Sequence, residues 1–279
     1  MKNLFWSYVV FVFLTLCVCL SGQGQYNKNR FVRNIPAFGV LKISGGGGAA
    51  YYMGDLEDGI TPKNIRYQAG LGLSYRLTER LTARGEIRYY RIAGQQAGTR
   101  VWYNNLSFRS DNADGFVGLQ IDLQKFSNQP RLNPYLLVGV GATSVNPKAN
   151  YQGTWYSLPP LQTEGVAYSR VAGIVVGGIG VSISVNDYCN VGIELCDNFA
   201  DTDYLDDVST NYPDLNSRTG VTLALTDRRP ELGLAANEFG NIRGNPRVRD
   251  SYGFLSVKVE YLLASRFKNK ERRKLRCLR

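Results

Sequence analysis

Eight charged residues occupy alternate positions within otherwise apolar segments. Arg84, Glu86 and Arg88 alternate in one segment, and Lys258 alternates with Glu260 in another. Alternate side chains of an extended strand point to the same face, so these charges lie opposite the apolar residues. Four are positive and four negative, so they can neutralise one another in a common interior, where an unpaired charge is very costly. The full set is Lys42, Arg84, Glu86, Arg88, Asp122, Glu194, Lys258 and Glu260.

The chain contains no histidine. This excludes His-based acid–base chemistry, His-activated nucleophiles and most zinc sites. No Ser–Lys pair or paired carboxylates stand out, so we expect no enzymatic activity, no catalytic residues and no cofactor. The Gly-Gly-Ile-Gly sequence at 177–180 faintly matches a dinucleotide-binding turn. No helical pattern follows it, and packing in a curved strand wall explains it better.

An aspartate-rich segment could bind calcium through Asp201, Asp203, Asp206, Asp207 and Asp214, of which Asp203, Asp206 and Asp207 are also candidates for external-loop contacts. The spacing does not match a calcium loop, which needs ligands at alternate positions, a central Gly and a late Glu. We therefore expect a solvated loop in which Asp side chains cap turns, and we assign no metal ligands. Four loop aromatics are candidates for external contacts or for loop packing: Trp102, Tyr103, Trp155 and Tyr156.

Most of the net positive charge lies in the last 16 residues. Residues 264–279 hold eight basic residues against Glu271 alone, which is +7 of the net +10. Such a block is usually a solvated tail that contacts an acidic or anionic surface. We expect a partner protein or lipid headgroups, not nucleic acid, because no basic–aromatic platform for bases is present. The partner-contact candidates are Arg266, Lys268, Lys270, Arg272, Arg273, Lys274 and Arg276.

Eight alternating segments are joined by links of unequal length. The predicted strands are 38–52, 66–76, 81–92, 114–125, 134–145, 169–185, 189–199 and 251–262. The intervening links run long, short, long, short, long, short, long. Outer-membrane barrels have this pattern, because their periplasmic turns are short and their external loops long. We predict an all-β fold: an eight-stranded antiparallel transmembrane β-barrel.

A water-soluble β-sandwich would also alternate, but two further features favour a membrane barrel. Residues 4–20 form an apolar run after Lys2, typical of a secretory signal cleaved near Gln25. Aromatics cluster near the strand ends, as in interfacial girdles: Tyr51, Tyr52, Tyr67, Tyr75, Tyr89, Tyr90, Phe126, Tyr135, Tyr188, Tyr252 and Tyr261. We expect a signal peptide (1–25), a barrel in the cell outer membrane in contact with its lipids (26–263), and a basic periplasmic tail (264–279).

An eight-stranded barrel is only wide enough for side chains to fill it. The inward charges therefore predict a plugged lumen and not a pore. In the long fourth link, residues 219–226 alternate like a strand and 230–238 could begin a helix at Pro230. Cys189, Cys196 and Cys277 have no disulfide framework spacing, and the first two cannot bridge along one strand.

The long links contain short motifs at 105–110, 153–156, 161–165, 203–210, 243–246 and 250–252. In this order they resemble an outer-membrane barrel family of the Bacteroidetes type, whose best-known members are the PorG-like components of the type IX secretion system. The resemblance covers nearly the whole mature chain, from about Gly39 to the basic tail. It implies a non-enzymatic outer-membrane protein that contacts periplasmic ring proteins of the secretion machinery. The alternative is a barrel whose external loops act in ligand binding, adhesion or transport.

Overall fold

The computed structural model describes residues 39–265 except 60, 127–129, 187 and 248. Within this part of the chain, eight strands form the barrel wall: β1 (Val40–Met53), β2 (Arg66–Arg76), β3 (Leu81–Gln95), β4 (Ser107–Asp122), β5 (Leu132–Ser144), β8 (Val171–Ser184), β9 (Cys189–Ala200) and β10 (Ser251–Ser265). They close into an antiparallel barrel in the order β3-β2-β1-β10-β9-β8-β5-β4, and β4 pairs back to β3. The predicted fold class is confirmed.

The strand register fixes the tilt of the barrel. Following paired residues once around the wall from Tyr51 on β1 returns to Leu41 on the same strand, a stagger of ten residues. A closed sheet with a stagger of this size has strands tilted by about 40° to its axis. The short links 77–80, 123–131 and 185–188 lie at one end, and the four long links lie at the other.

The second long link is shorter than predicted. β3 runs to Gln95 and β4 begins at Ser107, because the residue pairs between them continue to Gln95–Ser107. Residues 107–110, which the sequence placed in a loop, therefore belong to a strand that extends the wall outward.

The two faces of the wall have opposite chemistry. Leu71, Ile87 and Val117 point outward and are 61%, 68% and 67% exposed, whereas Arg84 and Glu194 point inward and are buried. On β8 the exposed apolar residues run from Val171 to Ile183, twelve residues that rise about 30 Å along the axis of a tilted barrel. This height matches the hydrocarbon core of a bilayer.

Several aromatics predicted for an interfacial girdle lie in the lumen instead. Tyr52, Tyr90, Tyr135 and Tyr252 are buried, whereas Tyr67, Tyr89 and Tyr261 are exposed on the outer wall and Tyr188 is exposed in the short link 185–188. The reason is that side chains alternate between the two faces of a strand, so every second residue points into the lumen. Tyr90, for example, continues the inward row of Arg84, Glu86 and Arg88.

The long links fold into a cap over one end of the barrel. The third contains a hairpin of β6 (Pro147–Tyr151) and β7 (Thr154–Ser157), and β6 pairs with the outer part of β4. The fourth contains a short helix, α1 (Gly220–Thr226). None of the helices in the described residues is long and apolar enough to cross a membrane.

Two expectations for the fourth link were wrong. Residues 220–226 form α1 and not a strand, because Val221 and Leu225, one helical turn apart, pack against Ala149 and Leu158 of the third link. The predicted helix at 230–238 is only a 3-10 turn, Arg229–Leu232, which Gly233 ends in a left-handed conformation.

Some predictions lie outside the described residues: the signal segment 1–25, the basic residues 266–279 and Cys277. Cys189 and Cys196 are free thiols on β9, as expected.

Candidate functional site: the lumen charges and the external cap

Four charged side chains form a network of ion pairs in the middle of the lumen. Lys258 Nζ lies 2.8 Å from Glu86 Oε2 and 2.6 Å from Glu194 Oε1. Arg84 contacts the same two carboxylates, at 2.5 Å and 2.6 Å. Tyr135 adds a hydroxyl that donates to Glu194 at 2.9 Å. Two cations and two anions from three strands thus balance their charges in a site shielded from water.

A second set of charges lies nearer the short-turn end. Lys42 pairs with Glu260 at 2.8 Å, and Arg76 lies 3.6 Å from Asp122. The guanidinium of Arg76 also stacks on Phe126, 3.6 Å from the ring centre. Arg76 was not among the predicted lumen charges, although it continues the inward alternation of β2.

Arg88 forms the third set, toward the cap. Its Nε and Nη2 donate to the two carboxylate oxygens of Asp114 at 2.7 and 2.9 Å, and Nη2 also donates to Asn198 at 2.7 Å. Asp114 was also absent from the predicted lumen charges. It is the first residue of the predicted strand, and the residues before it show no alternation that would mark it as inward-facing. The three sets bring every one of the eight predicted lumen charges into an ion pair.

Glycines on the inner wall make room for these long side chains. A Cβ on Gly72 would lie 2.7 Å from Cγ of Glu86, and one on Gly70 would lie 2.8 Å from Cγ of Arg88. A cavity beside these residues and Lys258 has a volume of about 10 Å³, at the lower limit for a single water molecule. The side chains fill this section of the lumen.

Stacked aromatics close the lumen above Arg88. The rings of Tyr90 and Tyr252 are parallel with centres 4.5 Å apart, and Phe254 packs edge-on against Tyr90. The hydroxyl of Tyr252 donates to Asp114 at 2.8 Å, which joins the aromatic layer to the charged layer.

Two aspartates of the cap share one tyrosine. The hydroxyl of Tyr52 lies 2.6 Å from Asp206 and 3.1 Å from Asp250. Both carboxylates are buried. Burial and the charge of Asp250 raise the pKa of Asp206 well above its usual value, and burial and Asp203 do the same for the pKa of Asp250.

The expectation of a solvated aspartate loop was therefore wrong for Asp206 and Asp207. The chain folds back over both, although Asp206 does cap a turn by accepting from the Val208 amide at 2.8 Å. Asp203 is half-buried. No cluster of three side chains suited to hold a metal occurs among the described residues.

An ion cluster joins the third and fourth links. Arg243 donates to Glu164 at 3.0 Å and to the backbone oxygen of Asp207 at 2.6 Å. Glu164 accepts from the amides of Ser209 and Thr210, both at 2.9 Å. Burial raises the pKa of Asp207 to about 6, although Arg243 opposes the shift. Glu164 and Arg243 were not singled out individually, but both lie in the loop motifs, which meet in the cap.

The four loop aromatics divide into two groups. Trp102, Tyr103 and Trp155 are exposed at the cap surface. Tyr156 instead packs in the small apolar cluster under α1. Arg109 stacks on Trp155, with 3.7 Å between the guanidinium carbon and the ring centre.

No protein-family model matches the sequence, and no curated protein matches it. Solved structures share the barrel at low identity. Neisserial surface protein A has a TM-score of 0.42 and 12% identity, covering 80% of this chain and 97% of its own. Ail, the attachment invasion locus protein of Yersinia pestis, has a TM-score of 0.42 and 11% identity, covering 81% and 99%. Outer membrane protein OprG of Pseudomonas aeruginosa has a TM-score of 0.41 and 12% identity, covering 82% and 97%. Such low identities transfer no residue role to this chain.

Proposed function

We propose that this protein is an integral outer-membrane barrel that is closed to passage and serves as a structural component of a protein-secretion apparatus of the type IX, PorG-like kind. The observation that carries the proposal is the filled lumen. The lumen is blocked by the ion pairs of Arg84 and Lys258, by the aromatic layer above them and by the cap. The protein can therefore act only at its two ends and on its outer wall.

The chemistry of the wall supports the membrane assignment. Large apolar side chains cover the outward face over about one bilayer thickness, and the charged residues point inward. A water-soluble barrel would have the reverse distribution. Barrels are also one of the two structures that satisfy every backbone hydrogen bond within a membrane.

A conductance measurement tests the closed lumen. The purified protein, inserted into a planar bilayer at neutral pH, is expected to show no stable open channel. Large and stable conductance steps from a homogeneous preparation would contradict the proposal.

The short-turn end is the proposed partner-binding end. β1 begins and β10 ends there, so the basic residues that follow Ser265 start on that side. In an outer-membrane barrel the short turns face the periplasm. We infer that the basic tail contacts acidic surfaces of periplasmic proteins such as ring components.

Crosslinking in intact cells tests this role. Three versions of residues 266–279 are compared: wild type, all Lys and Arg changed to Gln, and all Arg changed to Lys. The Gln version is expected to lose periplasmic partners while the barrel still folds, and the charge-preserving version is expected to retain them. Equal partner recovery with all three would refute a role for the tail charge.

A second candidate function uses the opposite end. Trp102, Tyr103 and Trp155 are exposed on the cap, and aromatic residues often anchor binding interfaces. Protease treatment of whole cells that removes the cap loops would abolish ligand binding or adhesion. It would spare secretion if the first proposal is correct.

A further inference from the structure

Two cations lie side by side on the outer face of the cap. Arg109 on β4 pairs in register with Lys148 on β6, so the two side chains project from the same face about 5 Å apart at their Cβ atoms. Like charges directly opposite each other destabilise a sheet. Such a pair is stable only when an anion or solvent offsets the repulsion.

Two acids near this part of β4 already have cationic partners, and Arg228, the partner of one of them, also donates to Ser107. Asp111 lies two residues from Arg109 and pairs with Arg91, and Glu231 is bound by Arg228. Among the described residues, no carboxylate pairs with Arg109 or Lys148. The Nε of Arg109 is moreover buried and has no acceptor in this part of the chain.

Trp155 holds the guanidinium in place. The Arg109 carbon lies 3.7 Å from the ring centre, close enough for a cation–π contact. A stacked guanidinium keeps its planar fork of donors pre-organised for a tetrahedral or planar anion. The indole itself remains 43% exposed, so the site is open to a ligand from the side.

The height of the site indicates the kind of ligand. Tyr89, exposed on the outer wall, pairs with Ala113, and Arg109 lies four residues further toward the cap. Four residues on a strand tilted by about 40° rise about 10 Å. If Tyr89 belongs to the aromatic belt at the headgroup level, Arg109 and Lys148 lie in the polar layer above the hydrocarbon.

We propose that Arg109, Lys148 and Trp155 form a binding site for a phosphate group of lipid A, the anionic glycolipid of the outer leaflet. The two cations contact the phosphate, and the indole packs against the sugar that bears it. The site rests on the barrel spanning the outer membrane with the cap outside, but not on any role in secretion, so the partner-capture experiment and this one can fail independently.

Native mass spectrometry of the detergent-solubilised full chain tests the site with three probes: bisphosphoryl, monophosphoryl and dephosphorylated lipid A. The wild type is expected to bind them in order of phosphate number. The variant Arg109→Gln/Lys148→Gln should bind bisphosphoryl lipid A at least about tenfold more weakly, because charge-assisted hydrogen bonds are lost. The matched control Lys63→Gln/Arg100→Gln removes the same charge from exposed positions elsewhere on the cap and should bind as wild type does.

Three results would overturn the proposal. The wild type could bind all three lipids equally, both double variants could lose binding equally, or millimolar inorganic phosphate could displace the lipid and show a site for free anions. The heat-dependent shift in gel mobility of folded barrels checks that each variant is folded. A single substitution, Trp155→Leu, provides a second variant that keeps both charges and should weaken binding to a smaller extent.

Discussion

Changing Glu194 to Gln should strongly destabilise the barrel. Glu194 is 1% exposed and contacts Lys258 and Arg84, each at 2.6 Å, and the hydroxyl of Tyr135 at 2.9 Å. The substitution keeps the shape of the side chain but removes one negative charge. Arg84 and Lys258 are then left to share the carboxylate of Glu86.

The size of the effect follows from the burial of the cluster. Removing one partner of a buried ion pair typically costs 3–5 kcal/mol, because the other charge stays buried without compensation. The remaining contacts of Arg84 and Lys258 with Glu86 offset part of this loss. We expect the free energy of unfolding to fall by about 3 kcal/mol.

Reversible urea unfolding in lipid vesicles, followed by tryptophan fluorescence, measures the change. The control Asp58→Asn removes an exposed acid whose nearest cation, Arg100, is 3.9 Å away, and should change stability by no more than about 0.5 kcal/mol. The double variant Glu194→Gln/Lys258→Met restores charge balance and should recover part of the loss. A change below about 1 kcal/mol in the single variant would refute the argument that the lumen is dry and charge-balanced.

Three further predictions concern packing and the cap. Gly72→Val should prevent folding or lower the free energy of unfolding in urea by at least about 2 kcal/mol, because the new Cβ would lie 2.7 Å from Cγ of Glu86. In the control Gly177→Ala the new Cβ would have no atom within 4 Å, so this variant should be tolerated. Arg243→Met should release the third and fourth links, so that limited proteolysis cuts the cap faster while the barrel keeps its folded gel mobility. The pKa of Asp207 is raised from 3.8 to about 6, so the folded cap binds this proton more tightly than the open cap and loses stability as the pH rises from 4 through 6. Proteolysis of the cap should therefore be slower at pH 5 than at pH 8. The buried Asp206, whose pKa is also raised, changes cap stability in the same direction. The variant Asp207→Asn should reduce the difference in proteolysis rate between the two pH values.

The barrel could be predicted from the sequence because every strand has an apolar outer face and a polar face toward the lumen, which produces a two-residue alternation in the sequence. The inward row from Arg84 to Arg88 could be read directly, since each charge alternates with an apolar or small residue. Tyr90 and Tyr252 were predicted in the girdle but lie in the lumen. Aromatic residues are common in both places, and only the two-residue alternation, counted along the whole strand, distinguishes an inward-facing aromatic from an outward-facing one. Asp114 was the first residue of the predicted strand, and the mostly polar residues before it lie on both faces, so no alternation marked it as inward-facing.

The cap could not be predicted to the same extent, because its contacts join residues far apart in the chain and follow no period. The partners Glu164 and Arg243 are 79 residues apart, and neither lies in a regular pattern. The segment 220–226 has a strand-like alternation, yet its burial is decided by Ala149 and Leu158 of another loop. Tertiary contacts of this kind override local propensity.

The internal charges and the cap together restrict where the protein can act. Opening a path through the lumen requires the Arg84–Glu194, Lys258–Glu86 and Arg88–Asp114 pairs to separate, and each broken pair costs about 3–5 kcal/mol when its charges stay buried. The three together exceed the total stability of many domains, which is about 5–15 kcal/mol. No loop movement at the cap compensates for this, because these pairs lie within the barrel and are held by strands on every side. A barrel closed in this way can act only at its two ends and on its outer wall, and the proposed partner contacts of the tail and the proposed site at Arg109 are both consistent with this restriction.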